Sequence, residues 1–291
     1  MLLAGPEVEP MVKLYGTAFV DRLYAIGGSG ASLIGAAIGM AMNDHRVFVY
    51  LPTPQEMMAA VELLREEVGP ARLPVVVAAA GATCAPGPVA GTTPAIDDVA
   101  VMCAVPGMTV VAPGDLAETQ DAVKALAAQG TPAYLRLVDS AEAIETGNPA
   151  TFALGRARRL REGADATIFG CGAILADALA AAETLSEAGV QVRVVEMATI
   201  QPIDAEEIRR ACVETRALLT VEEHGVAGGL GAAVAEVLAT MPAHPPLKVL
   251  GFRKGRPPMT GTREHLLADE GLDAAGIARE TGALLEASRA R

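Results

Sequence analysis

At 291 residues the chain is too long for one small core, and two domains of ordinary size would use all of it. It is 51% apolar, yet it has four Tyr, five Phe and no Trp, so its core must be built from Ala, Val, Leu and Ile, which suits buried parallel strands under Ala-rich helices. Its 23 Lys+Arg against 35 Asp+Glu give a net charge of -12, which repels a phosphate backbone and an anionic membrane face and argues against nucleic acid as a partner.

Short β-branched runs alternate with longer Ala-rich segments of helical period, the sequence form of repeated βαβ units. In the first half the predicted strands are Arg46 to Leu51, Leu73 to Ala79, Met108 to Ala112 and Ala133 to Leu137. Helices fit between them at Ala31 to Met42, Gln55 to Glu67, Ala95 to Ala104 and Asp115 to Ala128. Pro113-Gly114-Asp115 ends one strand and offers a cap for the next helix. Ser140 to Thr151 breaks the rhythm with Glu, Gly, Asn and Pro, so a linker is expected there. The second series has strands at Ala166 to Phe169, Gln191 to Glu196, Ala217 to Glu222 and Leu247 to Gly251. Its helices are Ala173 to Ala188, Ala205 to Glu214, Gly229 to Thr240 and Asp273 to Ala287. Two separate α/β sandwiches are expected.

The longest apolar runs, Leu33 to Met42 and Leu73 to Thr83, fall short of the roughly 18 to 20 residues that span a bilayer, so no membrane segment is expected. The opening MLLAGPEVEP meets Pro and Glu before an apolar stretch forms and does not read as a signal peptide, which makes the cytoplasm the expected compartment. Cys84, Cys103, Cys171 and Cys212 lie far apart, without metal spacing, and read as buried thiols.

Three motifs stand out. Ile26-Gly27-Gly28-Ser29-Gly30 opens a helix, but the dinucleotide fingerprint needs a Gly where Leu33 stands and an acid where Tyr50 and Leu51 stand. A turn that lets backbones pass closely explains it better than nucleotide binding. The following helix carries Gly35 and Gly39 four apart among Ala36, Ala37 and Ala41, a flat face that an interior helix or another subunit would fit equally well. Finally, Val221-Glu222-Glu223-His224 leads through four glycines to Gly231. His224 beside two carboxylates suits general acid/base work, while a hydrogen bond to a neighbouring loop would need no chemistry and is the favoured reading.

Taken together these residues resemble the C-terminal half of a transketolase, found in many bacteria as a separate subunit of a split thiamine-diphosphate enzyme. The resemblance runs from about Asp21 to Ala287, through Asp21-Arg22-Leu23-Tyr24, Asp97-Asp98-Val99-Ala100, Pro106-Gly107-Met108-Thr109-Val110, Pro202-Ile203-Asp204 and the run from Glu222 to Gly231. It implies two three-layer α/β/α domains: a pyrimidine-binding-type domain over 1–140, a linker at 141–151 and a transketolase C-terminal domain over 152–291. It also implies that thiamine diphosphate and Mg are held mainly by a partner N-terminal-half subunit, whose Gly-Asp-Gly signature is absent here, in an α2β2 heterotetramer.

The departures from the family fall on the chemistry. The glutamate that in the family hydrogen-bonds the pyrimidine ring aligns with Gly30, and the aromatic stretch that stacks on that ring reads Leu51-Pro52-Thr53-Pro54-Gln55. The substrate-facing histidines align with Gly81 and Thr93, and the phosphate-gripping arginine with Asp139, leaving Arg136 three positions earlier on the opposite strand face. The implied cofactor-facing positions are therefore Gly28, Gly30, Pro52 and Gln55, and the substrate-facing ones Thr93 and Asp139. No catalytic residue is assigned, and the chain is not expected to act alone. Two readings compete: a subunit of an enzyme moving a two-carbon ketol or related acyl unit, and a catalytically degenerate structural or regulatory subunit of such a complex.

Overall fold

The structure, a computed structural model, describes residues 2–4, 19–26, 28–80, 96–137, 152–253 and 262–289. Strands β1 (Leu2–Ala4), β2 (Leu23–Ala25), β3 (Val47–Leu51), β4 (Val75–Ala79), β5 (Thr109–Val111) and β6 (Ala133–Arg136) form most of one sheet, with helices α1 (Gly30–Ala41), α2 (Pro54–Met58), α3 (Val61–Leu63), α4 (Asp98–Cys103) and α5 (Leu116–Gln129) between them. The second half supplies β7 (Arg158–Arg161), β8 (Ala166–Gly170), α6 (Leu175–Glu187), β9 (Val192–Glu196), β10 (Thr199–Gln201), α7 (Ala205–Glu214), β11 (Leu218–Gly225), α8 (Leu230–Ala239), β12 (Leu247–Phe252), α9 (Arg263–Glu270) and α10 (Ala274–Arg289).

The first sheet has the order β10-β5-β6-β4-β3-β1-β2 and the second β12-β11-β8-β9-β7. All five residues of the central strand β4, Val-Val-Val-Ala-Ala, are buried, as expected of a parallel strand covered on both faces. Its neighbours lie in parallel register, Val49 opposite Val77 and Val77 opposite Tyr134. The expected cap at Asp115 forms: its Oδ1 accepts the Glu118 N–H at 2.7 Å, and Asp204 caps α7 in the same way through Glu207 N–H at 3.1 Å.

Several expectations change. The two expected α/β sheets form, but the halves are not independent, because β10 leaves the second half and pairs antiparallel with β5, at the edge of the first sheet. The segment predicted as one helix from Gln55 to Glu67 is broken at Ala59 and Ala60, and runs on after α3 as a wider π turn over Leu64–Val68. The strand β7 had no apolar alternation to announce it: Arg158, Arg159 and Arg161 place charges on an outer strand, which discourages edge-to-edge pairing. Of the cysteines, Cys171 is buried, Cys103 and Cys212 are only half-buried, and Cys84 lies outside the described residues. The linker at 141–151 also lies outside them. Among the described residues no helix is long and apolar enough to cross a membrane.

Candidate functional site

The first glycine turn is shaped by two close approaches. Gly28 has φ +135, a conformation that side chains rarely adopt. Gly30, the buried first residue of α1, faces the main chain of α2. A Cβ built at Gly30 would sink into the Glu56 carbonyl oxygen and stand 2.7 Å from the Glu56 carbonyl carbon and 3.2 Å from the Glu56 Cβ. Only glycine fits while α2 lies there. Ser29, at the cap position of α1, makes no side-chain cap bond, so the start of this helix has no side-chain acceptor from its own turn.

α2 is itself fixed by Pro54 at its first turn, where the missing N–H costs nothing, and by burial of Pro54 and Met57. Pro52 is half-buried, Gln55 exposed and Glu56 half-buried. The structure thus brings Gly30 against the segment containing Pro52 and Gln55, and adds Glu56, which in the sequence looks like an ordinary acid in a helix. Thr93, Asp139 and Gly81 lie outside the described residues.

The second glycine turn is tied into a buried ionic cluster joining the two halves. The Glu222 carboxylate turns back to accept the N–H groups of Leu230 at 2.7 Å and Gly231 at 2.8 Å, capping α8. Burial pushes the Glu222 carboxyl up to about 7, against those two N–H donors, which hold it down. His224 is almost fully buried; its Nε2 accepts the Ala100 N–H at 3.3 Å, and its Nδ1 stands 2.7 Å from the Gly225 carbonyl oxygen, so Nδ1 carries the proton and donates. Burial, with the Arg136 guanidinium nearby, pushes His224 down and keeps it neutral. The loop-bonded reading of His224 holds.

Arg136 is 1% exposed and engaged within the cluster: its Nε donates to Asp98 Oδ2 at 2.8 Å and its Nη2 to the Glu223 carbonyl oxygen at 2.9 Å. Tyr134 donates its hydroxyl to the same Asp98 oxygen at 2.7 Å. Burial works against the Arg136 charge, but the Asp98 carboxylate beside it outweighs burial and holds it above its ordinary range. Arg263 closes the other side, donating to Glu223 Oε1 at 2.5 Å. Through Arg136 and Glu223 these contacts run between the two halves, which makes the cluster an interdomain tie.

A second buried contact crosses between the halves. Glu118 in α5 accepts the Gly114 N–H at 2.7 Å and hydrogen-bonds the Glu196 carboxyl at the end of β9, which Arg158 grips at 2.6 Å. Burial and the neighbouring Glu196 push Glu118 up to about 9, so Glu118 keeps its proton at neutral pH. Two thiols are held protonated for a common reason: burial, with the Glu222 charge, raises Cys103 to about 12 and also raises Cys171.

Comparison with known proteins agrees with this architecture. Residues 155–277 match the family described as transketolase, C-terminal domain. One subunit of an apulose-4-phosphate transketolase from Phocaeicola vulgatus is 32% identical over 247 residues, 84% of this chain and 78% of that protein. A 6-deoxy-6-sulfo-D-fructose transketolase subunit from a Clostridium species is 34% identical over 244 residues, 83% and 75% of the two chains. Among solved structures, a split gene transketolase described as an inactive beta4 tetramer superimposes with a TM-score of 0.88 at 32% identity, covering 98% of this chain and 92% of that one.

Proposed function

Because the chain belongs to the transketolase family, whose members generally use thiamine diphosphate, we propose that it is the C-terminal-half subunit of a split transketolase that moves a two-carbon ketol unit together with an N-terminal-half partner. The observation that carries this reading is the near end-to-end match to subunits of split enzymes, with the same fold at a TM-score of 0.88. Thiamine diphosphate, when bound, supplies the nucleophilic carbon that takes up the two-carbon unit. In our reading its diphosphate and Mg lie mainly on the partner, two such pairs form an α2β2 heterotetramer in the cytoplasm, and the division into 1–140, a linker and 152–291 separates the pyrimidine-facing domain from the one that supports assembly.

The chain's own residues fit the pyrimidine end in an altered form. Position 30 has no room for a side chain, Pro52 and Gln55 replace the stacking rings, and a carboxylate remains nearby on Glu56. His224 and Arg136 are held inside the interdomain cluster and are assigned no contact with substrate. The closure at Gly30 favours one second reading, a subunit that completes the assembly without contributing catalytic groups. Co-purification with an N-terminal-half protein, followed by assay for thiamine diphosphate and for ketol transfer from a ketose phosphate, tests both. Cofactor and turnover in the complex support the first reading; a stable complex with cofactor-independent assembly and no turnover supports the second; no complex overturns both.

A further inference from the structure

The second half carries a cleft of about 460 Å³ between β12 and the junction of α9 with α10, a volume that suits a metabolite. β12 is the outermost strand of its sheet, and its consecutive residues 248–251 all line the cleft. A cleft on one face of a strand would meet alternate residues, so this one runs along the strand edge. An edge strand leaves alternate N–H and C=O groups without a strand partner, and those can take up hydroxyls. None of the described residues lining the cleft is aromatic, which leaves a nucleobase nothing to stack on.

Charge is layered in this cleft. The Arg253 side chain is 68% exposed, while that of its partner Glu270 is 1% exposed, so the acid lies in the wall and the cation stands in the opening. Arg253 donates from Nε to Glu270 Oε2 at 3.3 Å, and its Nη groups have no partner among the described residues. A guanidinium held at Nε by a buried carboxylate presents its Nη pair as a fork for the oxygens of an anion. Glu280 holds two further cations beside it, Lys248 Nζ at 3.2 Å and Arg279 Nη2 at 3.5 Å. Gly271, at φ +68, admits that arginine: a Cβ there would stand 3.1 Å from Arg279 Nη2. Asp269 is exposed at the rim, where it repels an oxyanion and accepts a hydroxyl.

We propose that this cleft binds a small polyhydroxylated oxyanion, a sugar phosphate or sugar acid, with its anionic end on the Arg253 fork and its hydroxyls on Asp269 and the β12 edge. All of these groups belong to this chain, so binding needs no partner subunit.

The full-length chain is titrated by calorimetry with glucose 6-phosphate, gluconate, inorganic phosphate and glucose, and its amide signals are followed by NMR. Glucose 6-phosphate or gluconate should bind, with movement of the signals across 248–251 and 268–271; the tighter of the two identifies the anion as phosphate ester or carboxylate. Arg253→Gln should weaken binding about 10-fold, the loss of a hydrogen bond to a charged group. Arg253→Lys, which keeps the charge without the fork, should recover part of it and takes the place of Arg253→Gln if that variant melts low. Arg65→Gln, at an exposed arginine of the first half, should bind as wild type does. Inorganic phosphate bound as tightly as glucose 6-phosphate would mean an adventitious ion only, and glucose bound as tightly would remove the anionic end; either overturns the proposal. So does the absence of saturable binding, or wild-type affinity in the folded Arg253 variants.

Discussion

The chain contains two glycine-rich turns that lead from a strand into a helix, and they are finished in opposite ways. At the second, the strand β11 provides its own acceptor: Glu222 folds back onto the Leu230 and Gly231 N–H groups, and a Cβ at Gly229 would meet the Glu222 carboxylate and His224 Nδ1 at 2.7 Å. That turn is chemically complete. At the first, no side chain of the turn caps α1, and the gap beside Gly30 is closed by the main chain of α2. Similar sequence grammar therefore yields one turn that satisfies itself and one that depends on a distant segment. The second is completed by its own side chains; the first is completed by packing against α2.

The largest expected effect breaks the tie around the complete turn. Arg136→Ala leaves Asp98 buried with Tyr134 alone and frees the Glu223 carbonyl, which should cost about 3 to 5 kcal/mol, as for other broken buried pairs, and denaturant unfolding of the isolated chain measures it. An unchanged midpoint would show that the cluster does not join the halves. Next come the glycines themselves. Gly229→Ala must expel the Glu222 carboxylate from the start of α8, while Gly30→Ala must lift α2, each at about 1 to 3 kcal/mol of overpacking. Amide exchange separates them: protection should fall at Leu230 and Gly231 in the first variant and across 54–58 in the second.

More gradual is the pH effect at Glu118, whose start-of-helix contacts resemble those of Glu222 but whose carboxyl faces another acid, Glu196, with Asp115 and Arg158 beside them. Its folded-state value, about 9, lies above the ordinary 4.5, so the folded chain holds this proton more tightly. The stability it contributes is complete below about pH 4.5 and declines as pH rises toward 9, by at most about 1.4 kcal/mol per pH unit for one proton. Glu118→Gln should flatten that limb of a melting-temperature profile and gain on wild type at alkaline pH. A profile of unchanged slope would show that Glu118 does not hold its proton in the folded chain.

What was legible in the sequence followed local pattern. β3, β4 and β6 were readable because apolar runs between turn residues have few other uses, and the Asp115 cap because its neighbours announce it. The broken helix after Pro54 was not, since Met57, Ala60, Leu64 and Val68 stay buried at helical spacing straight through the break. β7 and β10 were missed because ion pairs hold one and a pairing with the other half holds the other. At the site, the absence of a side chain at Gly30 could be read directly. The contact that explains it joins residues 30 and 56 through the fold, and no spacing rule links them.

The smallest effect concerns the outward side of α1, the helix that the incomplete turn begins. This helix has no charged residue, and its inner side, Leu33, Ile34 and Ala37, is fully buried. Gly35 and Gly39 face outward, and a Cβ at either would meet nothing within 4 Å. A helix apolar on all sides is normally covered. In the isolated chain Gly39→Leu has no neighbour to strike and replaces a poor helix former, so stability should hold or rise by about 0.5 to 1 kcal/mol. In the assembled complex the added side chain would enter a close helix contact, at about 1 to 3 kcal/mol, and sedimentation should shift toward smaller species. Opposite signs in the two measurements mark an interface. If the variant melts higher and assembles as wild type does, α1 faces solvent in the complex, and the incomplete turn before it is not held at a subunit boundary.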